Sequence, residues 1–219
     1  MTQVKEKVKK HRDYTNKYPS VTTVLGILRK IALEYWFKVN TIQFINKESG
    51  KGKAVGTDIH NAIEHFIITG EAKVETEYVD EVTNALKSFM LFKRENPQYV
   101  LNWSEMPLTS EKYKFNGTID CIGFEGENRV ILDWKTATCK DKEKPDIYDE
   151  YKYQVSAYVN LYNEIQNSNV EKAIIVSVAK DKIAYNTYEL NKEEIKGCFT
   201  QVFLPALQIL TYQKQKKEI

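Results

Sequence analysis

The sequence predicts a mixed α/β fold of the α+β kind, with a helical N-terminal portion leading into a mixed sheet. Three observations carry this. Apolar residues recur at helical spacing as far as Glu95. From Tyr99 the period changes from about 3.6 to about two. After three strands come a helix, two more strands and a last helix, an order that suits a sheet covered by helices. The 219 residues, 42% hydrophobic and 28% charged, are enough for one domain with a sizeable core. The expected organisation is a basic flexible tail over 1–18 and a single domain over 19–219, helical over 19–96 and carrying the sheet and C-terminal helix over 97–219.

Pro19-Ser20 opens the first helical region. Ser20 or Thr22 can cap it, and Val24, Leu25, Leu28, Ile31 and Ala32 recur at helical spacing, continued by Tyr35, Trp36, Phe37 and Phe44. Ser49-Gly50-Lys51-Gly52-Lys53 reads as a break. One helix is expected from Thr57 to Thr69, stopped by Gly70, and another from Tyr78 to Glu95, stopped by Asn96-Pro97. Strands are expected over Tyr99–Leu108, Phe115–Phe124 and Arg129–Lys135, with Glu125-Gly126-Glu127-Asn128 as the turn between the last two. A loop rich in Lys and Asp, Lys140–Asp146, precedes a helix over Tyr148–Gln166. Strands over Lys172–Ala179 and Ile183–Leu190 turn at Lys180-Asp181, and a final helix from Lys192 is bent or interrupted at Pro205.

The central hairpin carries the chemistry. If Phe124 pairs with Arg129, the paired residue numbers sum to 253 and Asp120 lies opposite Asp133; a two-residue loop of the same centre gives the same register. Facing Cβ atoms lie about 4.5–5.5 Å apart and like charges there are destabilising. Two carboxylates so placed call for a divalent cation. Lys135 shares their face, about 7 Å further along the strand. The other face, with Ile119, Cys121, Leu132 and Trp134, is apolar. One buried and one charged face are therefore expected. The hairpin alone fits an exposed polar face with a surface ion pair equally well.

Other segments shift that balance. His60 and Glu64 are four apart and share a helical face, beside an apolar stripe of Ile59, Ile63, Phe66 and Ile67. His65 lies about 140° from His60, so the two imidazoles cannot easily grip one ion. Alone, His60 is an ordinary helical histidine; beside an aspartate pair it is a candidate third ligand. Gln154 and Tyr158 also share a helical face and can reach a phosphate or base, or orient the lysine. The net charge of +2 leaves any nucleic-acid site to a local patch, while 14 Tyr, 9 Phe and 3 Trp offer rings for stacking on unpaired bases. Cys121, Cys139 and Cys198 are too few and too scattered for a disulfide framework, a zinc ribbon or a four-cysteine iron–sulfur cluster, and argue for a reducing compartment. With no run of eighteen apolar residues and no apolar segment behind the basic N-terminus, neither a membrane span nor a secretory signal is expected, and the expected location is the cytoplasm of a bacterial or phage-infected cell.

Taken together, GTDIHNAIE (56–64), FNGTID (115–120), ILDWKT (131–136) and YQVSAY (153–158) resemble, in order and spacing, the RecB-like branch of the PD-(D/E)XK nuclease superfamily. The resemblance covers about half the chain, from Gly56 to Tyr158. PSVTTVL (19–25) and the DWKT-then-QVSAY arrangement look most like the family of the mitochondrial genome maintenance exonuclease and its phage and bacterial relatives. The resemblance implies a restriction-endonuclease-like αβββαβ core with an N-terminal helical extension. It implies Mg²⁺ or Mn²⁺ held by His60, Asp120, Asp133 and the Trp134 carbonyl, with no iron–sulfur cluster. Asp120, Asp133 and Lys135 would be catalytic, Lys135 orienting or deprotonating the attacking water. Gln154 and Tyr158 would position Lys135 or the nucleic-acid strand, and Glu64 and Glu105 would stand just behind the ligands. Asp133 occupies a place where many superfamily members have Glu, which narrows the branch.

The expected function is metal-dependent exonucleolytic hydrolysis of DNA, from single-stranded ends, in replication, recombination or repair. A structure-specific endonuclease acting on flaps or junctions, and an inactive nucleic-acid-binding protein on the same fold, are the alternatives. A hydrolase of small phosphoesters is disfavoured by the Gln154–Tyr158 helix and the abundant aromatics. Strand polarity and oligomeric state are left open.

Overall fold

The computed structural model describes residues 18–29 and 31–216. Ser20 caps a short helix, α1 (Val21–Leu25), through its side chain and the amide of Thr23. Instead of running on, the chain breaks after Gly26 and restarts as α2 (Ile31–Val39) and then α3 (Ile42–Thr69), capped by Thr41. The break expected at 49–53 is absent: α3 passes through Gly50 and Gly52 without interruption. Each glycine costs about 1 kcal/mol in a helix, a weak bias that the long flanking helix overrides. The stop at Gly70 is present, with φ at +78°. Next comes α4 (Val79–Glu95), with Asp80 and Glu81 in its first turn and Lys93 and Arg94 in its last, as the helix dipole favours.

Five strands follow in spatial order: β1 (Tyr99–Ser110), β2 (Phe115–Glu125), β3 (Asn128–Ala137), β4 (Ala173–Ala179) and β5 (Tyr185–Leu190). All neighbours are antiparallel except β3 and β4, which run parallel because α5 (Asp149–Gln166) crosses between them. In β2–β3, Phe124 pairs with Arg129 and Cys121 with Leu132, the register expected from the turn. Glu125 and Asn128 are themselves paired, leaving a two-residue loop with Gly126 at φ +61°.

Both faces of the sheet are covered. On one, Ile119, Ile122, Ile131 and Ile175 pack with α1, α5 and the C-terminal helices. On the other, Cys121, Leu132, Trp134, Ile174 and Val176 pack with α3 and α4, where the ring of Phe89 meets Trp134 edge-on. The expectation of one charged face is thereby corrected: Asp133 is fully buried and Asp120 nearly so. Ile119 also departs from its expected partners and joins the α5 side. Burial on both faces explains why β4 reads as the nearly continuous apolar run AIIVSVA.

The C-terminal helix is interrupted near Pro205, as expected, and the interruption has a defined form. Helix α6 (Lys192–Cys198) passes through a wide π-type turn (Phe199–Phe203) into α7 (Leu204–Gln215). Pro205 lacks an amide hydrogen, and the widened turn places it in the first turn of α7, where none is needed. Of the expected basic tail, residues 1–17 lie outside the described residues. Tyr18 is tied down, its hydroxyl donating to Glu111 and its carbonyl accepting from Asn116.

Candidate active site

The site forms where β2 leaves β3. Their pairing ends at Cys121–Leu132; beyond it β2 stays with β1, while β3 pairs with β4 from Ile131 to Ala137. At this fork the Asp120 carboxylate accepts the Trp134 backbone N–H at 2.9 Å, satisfying an amide that the parted strand leaves open. Asp133 sits on the neighbouring strand, with the Lys135 ammonium 2.5 Å from its Oδ2. Apart from that ion pair, the Asp133 carboxylate has no hydrogen-bond donor among the described residues. From α3, His60 brings Nδ1 to 3.7 Å from Asp120 Oδ2.

A fifth side chain joins them. Ligand atoms of His60, Glu105 and Asp120 all lie within 4.8 Å of one another. Glu105 is expected from the resemblance only to stand behind the ligands, yet it lies in the cluster itself. It sits in β1 with φ +52°, a conformation rare for a residue with a Cβ, between the pairs Ser104–Cys121 and Met106–Ile119. The sequence holds the signal for it. Register arithmetic on the turn after Ser110, which pairs with Phe115, sums to 225 and sets Glu105 against Asp120. Glu64, one turn from His60 on α3, is near enough for its charge to help raise Glu105.

The electrostatics are those of a largely buried pocket rich in carboxylates. Burial, with Asp120 and Glu64 adding, pushes Glu105 up to about 7. Burial also raises Asp133 to about 6, against the opposing pull of Lys135 and with the Asp120 charge adding. Asp120 is raised by burial as well, partly offset by Lys135 and the Trp134 amide. His60 is lowered by burial and then by Lys135, which favours the neutral, ligating imidazole. Buried carboxylates that resist ionisation, with a neutral imidazole beside them, fit a hard divalent cation.

Helix α5 closes the Lys135 side. The ammonium lies 5.4 Å from the centre of the Tyr151 ring. Gln154 and Tyr158 are joined by a 2.8 Å hydrogen bond from Gln154 Nε2 to the Tyr158 hydroxyl. The Tyr158 ring rests on Gly117, where a Cβ would lie 2.7 Å from its Cε1, so glycine in FNGTID is a steric requirement. The sequence does not single out Tyr151 and Gly117 as site residues; both act through packing that neither local pattern reveals.

Residues 30–215 match the family model of the PD-(D/E)XK nuclease superfamily. Among curated proteins, the chain is 27% identical over 133 residues to one component of the ATP-dependent helicase/nuclease of Clostridium perfringens strain ATCC 13124, covering 49% of this chain and 10% of that protein. It is 32% identical over 72 residues to the same component in strain 13, covering 33% of this chain and 6% of that protein. The chain thus spans about a tenth or less of the length of the curated relatives it matches. Among solved structures, a phage-related exonuclease from Haemophilus somnus 129PT aligns with a TM-score of 0.44 and 15% identity, over 92% of this chain and 96% of that one. An alkaline exonuclease from Laribacter hongkongensis aligns with a TM-score of 0.42 and 12% identity, over 92% and 94%.

Proposed function

The chain belongs to the PD-(D/E)XK nuclease superfamily, and on that premise we propose that it is a divalent-metal-dependent exonuclease acting on single-stranded DNA ends. One observation carries the reading: His60, Glu105 and Asp120 converge within 4.8 Å beside the buried Asp133–Lys135 pair. His60, Asp120, Asp133 and the Trp134 carbonyl would hold Mg²⁺ or Mn²⁺, with Glu105 as a further carboxylate ligand. When bound, the ion supplies a water of lowered pKa and offsets charge building on the phosphate. Asp120 orders the site around itself by fixing the Trp134 amide. Lys135, held against Asp133 and Tyr151, presents a point charge to the phosphate and orients the attacking water. Gln154 and Tyr158 position the strand or the lysine from α5.

The end preference rests on α2 and the first turns of α3. Every buried residue of α3 lies at or after Val55. Before it, Tyr35, Phe37 and Phe44 are exposed, and Trp36 packs against Phe37 and Phe44 at 5.4 and 6.4 Å between centroids. Such rings can stack unpaired bases for about 1–3 kcal/mol each, whereas a duplex must first be opened. The test compares linear single strands, blunt duplex and circular single strands at equal nucleotide concentration, with chelator, Mg²⁺ or Mn²⁺. Fast loss of the linear strand, slow loss of duplex, survival of the circle and silence in chelator are expected. A circle cut as fast as the linear strand replaces this reading with the endonuclease one; full activity in chelator removes the metal.

A further inference from the structure

Away from the carboxylate site, a groove of about 430 Å³ runs between the β1–β2 turn and α7. Lys112 and Lys114 line one wall; Leu204, Leu207, Gln208 and Tyr212 line the other. Among the described residues, no carboxylate lines it. The nearest acids are engaged elsewhere: Glu164 accepts the Ser110 hydroxyl and the Lys112 amide, and Glu111 accepts from Tyr18. Lys114, at φ +61°, has no ion-pair partner among the described residues, and Tyr212 is 59% exposed. Lys216, one turn beyond Tyr212, lies 5.1 Å from its ring centre and adds another cation at the rim.

We propose that this groove is a second binding site for single-stranded nucleic acid, anchoring the same strand whose end the carboxylate site cleaves. The proposal rests on the exonuclease reading above. Lys114, Lys112 with its ammonium 4.8 Å from the Tyr113 ring centre, and the exposed Tyr212 ring border an apolar floor, a set that matches a phosphodiester backbone carrying an unstacked base. They do not match an anionic protein segment, which would leave the apolar floor and the ring unused. The groove lies on the α5 side of the sheet, since Leu204, Leu207 and Tyr113 pack with the cluster that contains α5. Lys135 meets Tyr151 on that same side. Lys114, in the turn just before β2, precedes Asp120 by six residues, a span of at most about 20 Å at about 3.3 Å per residue. At a stacked rise of about 3.4 Å per nucleotide, a strand reaching both places is on the order of six nucleotides long. Short substrates therefore use the carboxylate site alone, and longer ones gain the groove.

The test pairs wild type with the triple variant Lys112→Ala/Lys114→Ala/Tyr212→Ala, changed at groove-lining positions remote from the carboxylates. Substrates are oligothymidylates of about four and about twenty nucleotides, lengths below and above the span just given. For the longer strand, the variant is expected to raise KM about tenfold with kcat unchanged; for the shorter strand neither constant moves. Polarisation of the fluorescein-labelled longer strand in Ca²⁺ gives binding without turnover, with about tenfold weaker binding expected in the variant. Equal KM and equal binding for the longer strand in both proteins overturn the groove while leaving cleavage intact. So does an equal loss on both strands, which marks general damage. Should wild type cleave neither strand yet bind the longer one tenfold more tightly than the variant does, the exonuclease reading falls and the groove stands.

Discussion

The substitution Asp120→Asn separates a metal site from an ordinary polar pocket, because the two give opposite signs in metal-free protein. Asparagine keeps a carbonyl oxygen to accept the Trp134 amide, now 2.9 Å from Asp120. What it removes is one negative charge from a pocket in which Asp133 is held at about 6 against an ordinary 3.8, and Glu105 at about 7 against 4.5. For Asp133, fully buried, the displacement corresponds to about 3 kcal/mol of penalty at neutral pH, most of it from burial and a smaller part from Asp120. Glu105 is partly exposed and contributes less once solvent screening is allowed for. Relief on the order of 1 kcal/mol is expected, or a rise in Tm of about 2–4 °C for a chain of this size. The sign with pH follows from raised carboxyl pKa values. The folded state favours the protonated form, so stability is fully present below the unfolded values near 4 and is lost as pH rises through about 6 and 7. The gain from Asp120→Asn should therefore appear at pH 8 and vanish at pH 4. Calorimetry in chelator and in Mg²⁺ or Mn²⁺ reads both effects: the metal should raise the wild-type Tm and leave the variant unmoved. A variant that melts lower than wild type at pH 8 in chelator, or that gains as much from metal, would refute the reasoning.

Three further outcomes are expected. Lys135→Ala should lower turnover of labelled single strands at least about a hundredfold while strand binding by polarisation persists; near-wild-type turnover would remove Lys135 from the chemistry. The same variant leaves the buried Asp133 without its countercharge, so its Tm in chelator should fall more steeply with rising pH than that of wild type, an effect that loss of a surface lysine would not produce. Gly117→Ala should cost about 1–3 kcal/mol in denaturant melts, since its Cβ would lie 2.7 Å from the Tyr158 ring and 3.1 Å from Val21. Unchanged stability would show that the ring has room to withdraw.

The register of the central hairpin is legible in the sequence because it depends on four turn residues and nothing distant. The sum of 253 holds for every β2–β3 pair. The same arithmetic on the preceding turn places Glu105, which the family resemblance sets only behind the ligands. Burial of Asp133 is not legible. It depends on helices α3 and α5, drawn from opposite sides of the hairpin in sequence, closing over both faces. The Gly50–Gly52 break fails for a different reason. Glycine there meets no constraint, a Cβ at either position would touch nothing, and a propensity of about 1 kcal/mol does not outweigh a helix already capped at Thr41 and packed from Val55 onward. The π-type turn before Pro205 lies between these cases: the proline announces a disturbance, and only the packing of Phe199 and Phe203 on Phe115 shows where the disturbance is taken up.

The cluster stands where it does because of the sheet's own topology. Strand β3 is antiparallel to β2 on one side and parallel to β4 on the other, and past Leu132 it loses β2 while staying paired with β4 as far as Ala137. At such a switch the strands part and backbone groups are left open, which is where α/β sheets offer a crevice for ligands. Here one carboxylate, Asp120, closes the open Trp134 amide and is fixed by doing so. The next position on β3 toward the turn, Asp133, has the Lys135 ammonium, 2.5 Å from its Oδ2, as its countercharge. An apolar pair in their place would close the fork and stabilise the sheet, since a buried ion pair is weak support for a fold. A sheet that retains two buried acids and a lysine at its own switch point is giving up stability there, and binding and hydrolysing a phosphodiester is the use to which those residues are suited.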